Sequence, residues 1–338
     1  MNSDLQNGAL AGAVAACDAI GAAMLTRLTS RLGEDSGASG NVLACPVGLA
    51  LALATLRAGA ADDGTGVDTM LGVNVDGNTQ GRVRTWSTIQ RNLQRLSIAN
   101  NQARDRVWSA VQRSLQRFDV ADPAGLAGFD PKQIPDKPLL HVANRVLVVG
   151  EGTQVEQSYL DAARQWYAAN AERASAQEAQ AALDQWAALH TGGLIDKSGL
   201  NVDESTRLVL QNAVLLAVRW TTEFDARDTA QGSVFHRADG SASTADLMTR
   251  TGSFSLVAGE GWRALRLPYA EQDSRLAMDL VLPDAVVSPT DLPAGTWGRA
   301  SAELTAAEGS GKAPEEVELQ LPRLELGSGA IDLLTLLK

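Results

Sequence analysis

The stretch from Asn41 to Ala60, NVLACPVGLALALATLRAGA, does most to decide the predicted fold. Its first five residues are mainly apolar and predict a short strand that ends at Pro46. A proline suits the first turn of a helix, where the backbone N–H has no partner to lose. The run from Leu49 to Ala60 is nearly all apolar, and a helix with no polar face is buried on all sides. We therefore predict a strand followed by a core helix.

Patterns outside this stretch predict helices in the first half of the chain and mainly strands in the second. The predicted helices cover residues 9–32, 82–118 (one or two polar helices), 155–171 and 176–190. The predicted strands cover residues 142–149, 208–216, 234–235, 254–257, 264–267, 276–282 and 317–321. Because Leu208 to Leu216 is apolar on both faces, we expect it to be the central strand of a sheet. Helices followed by antiparallel strands predict the α+β class, and a chain without repeats or linkers predicts a single domain over residues 1–338.

Length, composition and charge exclude several kinds of protein. The chain has 338 residues, of which 45% are hydrophobic and 20% charged, so it can bury a core. Its net charge of −11 argues against a nucleic-acid partner, because phosphate binding needs a basic face. The sequence has no run of about 18 apolar residues, so we expect no membrane span. Two cysteines, Cys17 and Cys45, are too few for a disulfide framework or a zinc site.

The residues that could carry catalysis do not form a recognisable constellation. The three histidines, His141, His190 and His236, are far apart in sequence, and we expect them to be hydrogen-bonded or exposed rather than metal ligands. The segment GSGK at 309–312 lacks the earlier glycine and the Ser or Thr of a phosphate-binding loop. Cys45 has apolar neighbours in sequence, a setting that raises the pKa of a thiol, so catalysis by this residue is the weaker interpretation. We predict that the protein is not an enzyme and has no cofactor.

The stretch from Asn41 to Ala60 resembles the strand-and-helix signature of the serpins, which usually reads Asn-hydrophobic-x-x-Ser-Pro-x-Ser. Further segments resemble serpin motifs in the same order along the chain: Trp186, Thr191, Gly193 and Ile195; Thr206 to Ala213 with Trp220 and Phe224; Leu267 to Tyr269 with Met278, Leu282 and Pro283; and Leu321 to Leu324 with Asp332 and Leu333. The resemblance covers nearly the whole chain. It implies a serpin-like α+β fold of three β-sheets with about eight or nine helices.

Serpins are protease inhibitors, so the resemblance implies a function without a catalytic residue. A serine or cysteine protease attacks an exposed loop and forms an acyl-enzyme, and the cut loop then enters a β-sheet as a new central strand before the ester is hydrolysed. The energy comes from strain held in a metastable fold. The implied partner is a target protease, and the complete inhibitor is expected to be a monomer. The alternative is a non-inhibitory serpin-fold protein that serves as a binding or structural module.

The resemblance assigns Cys45, Gly48 and Asn212 to the shutter, the region beneath the central sheet. Cys45 and Gly48 stand where serpins mostly carry two serines, and both are expected to weaken the hydrogen bonds there. Asn212 is expected to bridge two strands, because an unsatisfied buried amide costs about 1–3 kcal/mol. A position in a β-bulge is the alternative for Asn212. Trp220 is assigned to the breach, where insertion starts, or to simple core packing.

Both ends of the sequence affect these expectations. In serpins the last helix is followed by a further strand of sheet A, by the reactive loop with its scissile bond, and by the final strands of sheets B and C. We expect these parts to be absent here, because the sequence stops at Lys338. No basic residue precedes Arg27, so the start of a secretory signal is missing. An intact N-terminus predicts a cytoplasmic protein, whereas the family resemblance favours the extracellular space.

Overall fold

The computed structural model describes residues 2–34, 41–59, 67, 70–71, 126, 129–135, 138–237, 240–270, 276–284, 291–293 and 295–327. The polar helices predicted at 82–118 and the helix expected near Asp332 lie outside these residues. The described residues form two β-sheets. Helices cover both faces of the first sheet, and one helix packs against the second.

Two helices begin the chain. Helix α1 covers Asn2–Glu34 and includes the predicted helix, while α2 covers Pro46–Arg57 and begins at the predicted proline. The strand predicted at 41–45 is wrong, because these residues pair with no described strand. Cys45 is instead the N-cap residue of α2, and its carbonyl accepts a hydrogen bond from the N–H of Leu49 at 3.3 Å. So short an apolar run does not distinguish a strand from the entry into a helix.

The first sheet has three strands in the order β2–β1–β3, where β1 covers Leu139–Val149, β2 covers Asn170–Ala174 and β3 covers Leu208–Ala217. Strand β1 is parallel to β2 and antiparallel to β3. The prediction that β3 is central is wrong for the described residues, because β1 lies in the middle and β3 is paired along one edge only. Apolar residues on both faces indicate that a strand lies between two layers, but they do not indicate which of its edges are paired.

Strand β1 contributes to a core on each face of this sheet. On one face, Leu183 of helix α4 (Ala176–His190) packs against Leu147. On the other face, Leu51 of α2 belongs to the same cluster as Val142. Successive strand residues point to opposite faces, so the nearly continuous apolar run of β1 fills both layers.

Two of the predicted helices differ from the structure in length or burial. Helix α3 covers Gln157–Tyr167 and is shorter than the predicted 155–171. It ends at Ala168, whose φ of 49° is left-handed, and the chain then turns into β2. Helix α2 is buried along most of its length, but Leu56 is 43% exposed. The prediction that α2 is buried on all sides is therefore wrong at this position.

The second sheet is antiparallel and follows the first along the chain. Its strands are β4 (Thr229–His236), β5 (Ala242–Gly259), β6 (Trp262–Pro268), β7 (Ala277–Pro283) and β8 (Glu315–Pro322). They pair in the order β4–β5–β6–β7, with β8 also paired to β5. Helix α5 (Thr296–Gly309) packs Leu304 against Trp262 and corrects the prediction that only strands and turns follow residue 232. No helix in the described residues is both long enough and apolar enough to cross a membrane.

Candidate functional site

A cleft follows the outer edge of β3, the edge that no described strand covers. We call it the β3 cleft, and its volume is about 440 Å³. Its lining is mainly apolar and comes from both helical layers and the strand between them: Met24, Cys45, Gly48, Leu49, Ala52, Trp186, Ala187, Thr191, Ile195, Ser198, Leu200, Leu210, Gln211, Asn212, Ala213 and Val214. Because α2 and α4 lie on opposite faces of the sheet, the cleft extends around the edge of β3.

Asn212 lies in the β3 cleft and begins a chain of amide hydrogen bonds. Its Nδ2 donates to Asn144 Oδ1 at 2.8 Å and to the Ala143 carbonyl at 3.3 Å, so it bridges β3 and β1. Asn144 Nδ2 in turn donates to the Tyr167 carbonyl, at the end of α3, at 3.0 Å. The register between β1 and β3 is continuous through Asn212, so the position is not a bulge. The polar groups within this apolar strand are therefore paired across it.

Gly48 brings α2 into close contact with this amide. A Cβ atom at position 48 would lie 2.7 Å from Asn212 Oδ1 and 3.3 Å from Cys45 Sγ. Contacts below about 3 Å between such atoms force one of them to move. Cys45, Gly48 and Asn212 are thus neighbours in space, although Asn212 is far from the other two in sequence.

Cys45 lines the β3 cleft at the start of α2. The residue as a whole is exposed, and its side chain makes no capping hydrogen bond. The atoms packed around the thiol still desolvate it and raise its pKa, while the main-chain N–H of Gly48 acts in the opposite direction. Burial, together with Asp18 and Cys45, also raises the pKa of Cys17 to about 11. A raised pKa keeps a cysteine in its less nucleophilic thiol form. These surroundings argue against a cysteine-dependent enzyme.

Trp220 lies apart from the other three residues and joins the two sheets. It forms an isolated β-bridge with Tyr269, and the two rings stack with centroids 4.6 Å apart. Phe224 packs against Trp220 edge-on, with centroids 6.4 Å apart. Trp220 follows β3 by three residues, so it connects the end of β3 to the end of β6. It does not line the β3 cleft.

Arg145 is a buried cation that sequence reasoning missed. It lies on β1 with its side chain 3% exposed, and its Nη1 donates to Glu172 Oε2 on β2 at 3.0 Å. Its Nε donates to Gln211 Oε1 on β3 at 3.1 Å, and its Nη2 also contacts that oxygen. Nη2 donates to the Ala182 carbonyl of α4 at 2.9 Å, and Cζ lies 5.3 Å from the centre of the Trp186 ring. This one side chain therefore connects all three strands of the sheet to α4.

Burial lowers the pKa of Arg145, and the hydrogen bond and charge of Glu172 act in the opposite direction. The one available signal in the sequence was a charged residue within the apolar run of β1, which is unusual unless the charge is paired.

Two of the three histidines are brought together between β1 and α4. His141 Nε2 lies 2.9 Å from His190 Nδ1, and both residues are buried. His236 lies on β4 and is exposed. The expectation of hydrogen-bonded or exposed histidines therefore matches all three positions. Within the described ranges, no group of three or more His, Cys, Asp or Glu side chains could hold a metal ion.

A helix-covered sheet with an unpaired edge, joined to an antiparallel sheet, is the α+β arrangement that the sequence analysis expected. The family model for Serpin (serine protease inhibitor) matches residues 22–338, and the chain belongs to the serpin family. This match confirms the resemblance found in the sequence. Serpins are protease inhibitors, so the protein is not classed as an enzyme.

Curated relatives cover parts of the chain. Serpin B11 from Homo sapiens is 29% identical over 202 residues, which are 55% of this chain and 48% of that protein. Serpin-Z10 from Arabidopsis thaliana is 34% identical over 106 residues, which are 30% of this chain and 27% of that protein. The chain therefore spans half or less of the length of these relatives.

Solved structures support the fold over almost the whole chain. A cleaved serpin 42Da has a TM-score of 0.62 at 20% identity and covers 94% of this chain and 72% of its own. An ovalbumin from emu (Dromaius novaehollandiae) has a TM-score of 0.62 at 18% identity and covers 92% of this chain and 73% of its own. Likeness at this identity establishes the fold.

Proposed function

We propose that the protein inhibits a serine or cysteine protease as a suicide substrate whose cleaved loop is added to the first sheet at β3. The target protease attacks the scissile carbonyl of an exposed loop with its own Ser or Cys, the peptide bond breaks, and the amine leaves. An ester or thioester then joins the inhibitor to the protease. The inhibitor contributes no catalytic group, because its role is to add the cut loop to the sheet before water completes the hydrolysis.

The open edge of β3 is the observation that carries this proposal. Its outer N–H and C=O groups face the β3 cleft rather than a described strand. An added strand would gain one ladder hydrogen bond for each paired group, worth about 0.5–1.5 kcal/mol net. Alternate side chains of that strand would point to opposite sides, one set toward α2 and the other toward α4. The cleft has apolar surface on both sides, as such a strand requires.

Cys45, Gly48 and Asn212 are proposed to form the shutter on the α2 side of the cleft. The hydrogen bonds from the side-chain amide of Asn212 to β1 would hold β3 in place while a strand is added along its other edge. Trp220 is proposed to act at the breach, because its stacking on Tyr269 holds the end of β3 against the second sheet. The inhibitor is proposed to act as a monomer with the target protease as its partner.

The decisive experiment mixes the full-length product of the gene with trypsin-like, subtilisin-like and papain-like proteases. The proposal predicts loss of protease activity in proportion to the inhibitor added, together with a complex that survives boiling in SDS. The same protease with its catalytic Ser or Cys replaced by Ala is the control and should form no such complex. Cleavage of the protein without a stable complex would contradict inhibition and favour the alternative, a non-inhibitory serpin-fold binding or structural protein.

A second experiment tests the open edge in the 338-residue chain itself. A synthetic ten-residue peptide of alternating small and apolar residues should pair with β3 and slow hydrogen exchange of the amides of Leu208–Ala217. A peptide of the same length with proline at every second position is the control, because proline lacks the N–H that a ladder needs. Equal effects of the two peptides would contradict strand addition at this edge.

A further inference from the structure

The contact between His141 and His190 has the geometry of a hydrogen bond from one ring N–H to the other ring nitrogen. The side chains are 3% and 5% exposed, so water does not solvate a charge on either ring well. The rings are parallel within 3°, with centroids 5.2 Å apart and the two facing nitrogens 2.9 Å apart. Trp186 packs against His190 with ring centroids 4.4 Å apart. The pair is therefore enclosed between α4 and β1.

The number of protons on the pair decides whether this hydrogen bond can exist. In the neutral pair, and in the pair with one added proton, one facing nitrogen donates its N–H and the other accepts with its lone pair. When both rings are protonated, both facing nitrogens carry a hydrogen and no acceptor remains. Two cations would then lie in direct contact in a buried site, where like charges repel strongly.

The charges that face the pair from the sheet oppose protonation. Arg145 lies four residues after His141 on the same face of β1 and carries a permanent positive charge. Glu172 of β2 binds the Nη1 side of Arg145 and is half-exposed, so it neutralises the guanidinium only in part. Strand β3 (Leu208–Ala217) contains no ionisable side chain.

The carboxylates described in the helix and in the neighbouring turn are hydrogen-bonded to other groups. Asp184 of α4 accepts hydrogen bonds from the main-chain N–H and the hydroxyl of Ser198. In the turn near the start of β1, Asp130 accepts a hydrogen bond from the main-chain N–H of Lys132. Burial first, and then the charges of His141 and Arg145, lower the pKa of His190 to about 4.

We propose that the histidine pair makes the attachment of α4 to the first sheet acid-sensitive, so that α4 separates from β1 when the pair takes up protons. This inference does not depend on protease inhibition, because it concerns only the contact between α4 and β1. Its consequence for the molecule is direct, since Trp186 and Ala187 of α4 line one side of the β3 cleft. Release of α4 would therefore widen the cleft at low pH.

The direction of the pH effect follows from linkage. The pKa of His190 is lower in the closed state than the value near 6.5 that a solvated histidine has, so the open state binds more protons. Opening is therefore rare above about pH 6.5 and becomes about tenfold more frequent for each pH unit below it, until the pH approaches the closed-state value.

Hydrogen exchange of the amides of α4 measures this opening. We expect the protection factors of Ala176–His190, each corrected for the intrinsic exchange rate at its pH, to fall about fifteenfold between pH 6.5 and pH 5. The variant His190→Asn places a non-titrating amide near the position of Nδ1 and should change less than about threefold over the same range. The variant His236→Asn removes the exposed histidine of β4 and should behave like the unmodified protein.

Three results would overturn the proposal. The first is an equal fall in protection in His190→Asn, and the second is no fall in the unmodified protein. The third is a parallel loss of protection in β6 (Trp262–Pro268), which would indicate unfolding of the whole molecule. If His190→Asn does not fold, the ring Cε1–H signal of His190 in the unmodified protein gives the answer. A neutral-ring signal at pH 7.5 that is replaced as α4 opens supports the proposal, and protonation near pH 6.5 with unchanged α4 protection refutes it.

Discussion

Replacement of Arg145 by methionine tests whether the buried cation stabilises the first sheet. Arg145→Met keeps most of the side-chain volume but removes every hydrogen bond to Gln211 Oε1, Glu172 and the Ala182 carbonyl. Glu172 is half-exposed and can be solvated. Gln211 is buried, so the loss of a partner for its Oε1 costs about 1–3 kcal/mol. The lost cation–π contact with Trp186 adds about 0.5–2 kcal/mol.

The variant recovers part of this cost, because no guanidinium has to be desolvated when the protein folds. We therefore expect Arg145→Met to lower the free energy of unfolding by about 2–4 kcal/mol. Urea-induced unfolding, followed by far-ultraviolet circular dichroism and tryptophan fluorescence, measures this change. The matched control is Arg164→Met on α3, whose exposed ion pair with Asp161 spans 3.7 Å and should contribute less than about 0.5 kcal/mol.

A double-mutant cycle then measures the interaction between Arg145 and Gln211 separately from their other contacts. Gln211→Met alone leaves Arg145 with fewer partners, whereas the double variant removes both buried polar groups together. Replacing both partners costs less than the sum of the single changes, so we expect a coupling of more than about 1 kcal/mol. The reasoning fails if Arg145→Met costs no more than Arg164→Met, or if the effects of the two single changes simply add.

Three further changes test the α2 side of the cleft and the two thiols. Cys45→Ser should raise the free energy of unfolding by about 0.5–1 kcal/mol, because a serine at an N-cap accepts a hydrogen bond from the N–H of Gly48. Cys17→Ser should lower the free energy of unfolding, because a half-buried hydroxyl replaces a thiol. Changes of the same sign for both variants in urea unfolding would contradict this reasoning. Gly48→Ala should lower it by about 1–3 kcal/mol and shift the side-chain amide signal of Asn212 in NMR spectra, and an unchanged amide signal would rule out the contact. Since the pKa of both thiols is raised, a disulfide reagent at pH 7 should react with them more slowly than with free cysteine, and equal rates would show that burial does not control them.

The elements that were predicted correctly are those whose signal is local, and the signal is clearest where the element is long. Helix α1, helix α4 and strands β1 and β3 each extend over ten or more residues with one consistent pattern. Such patterns average over many side chains, so one exception does not change the interpretation. The family resemblance then placed these elements in one fold.

The elements that were missed depend on partners elsewhere in the chain. Strand β2 has a half-exposed, polar sequence and is a strand because it pairs with β1. Helix α5 is Ala- and Glu-rich around its three buried positions, Thr296, Ala300 and Leu304, of which only two are apolar, too few for a clear apolar stripe. The segment 41–45 has strand-like residues but no described strand beside it. Pairing partners of this kind cannot be read from a local window of sequence.

In the candidate site, too, contacts that depend on residues distant in sequence were the ones that were missed. Cys45, Gly48 and Asn212 were grouped by the family resemblance, and the structure places them together. The contacts of Arg145 and the pair formed by His141 and His190 were not predicted. These contacts join β1 to α4 or to its neighbouring strands, and their members are 27 to 66 residues apart in sequence. Neither contact leaves a spacing motif that a sequence could reveal.

The polar groups buried in the first sheet have a further consequence for its register. Asn144 faces Asn212, and Arg145 faces Gln211, in neighbouring positions of the ladder between β1 and β3. A slip of one residue would exchange the two faces of β3, and because both faces are apolar, it is opposed mainly by the loss of the pairs Asn144–Asn212 and Arg145–Gln211. A slip of two residues keeps every side chain on its proper face, and apolar residues alone distinguish it poorly. That slip would separate Arg145 from Gln211 and Asn144 from Asn212, at a cost of about 1–3 kcal/mol for each buried polar group left unsatisfied. The two polar pairs, one on each face, therefore select a single register for the strand whose other edge borders the cleft.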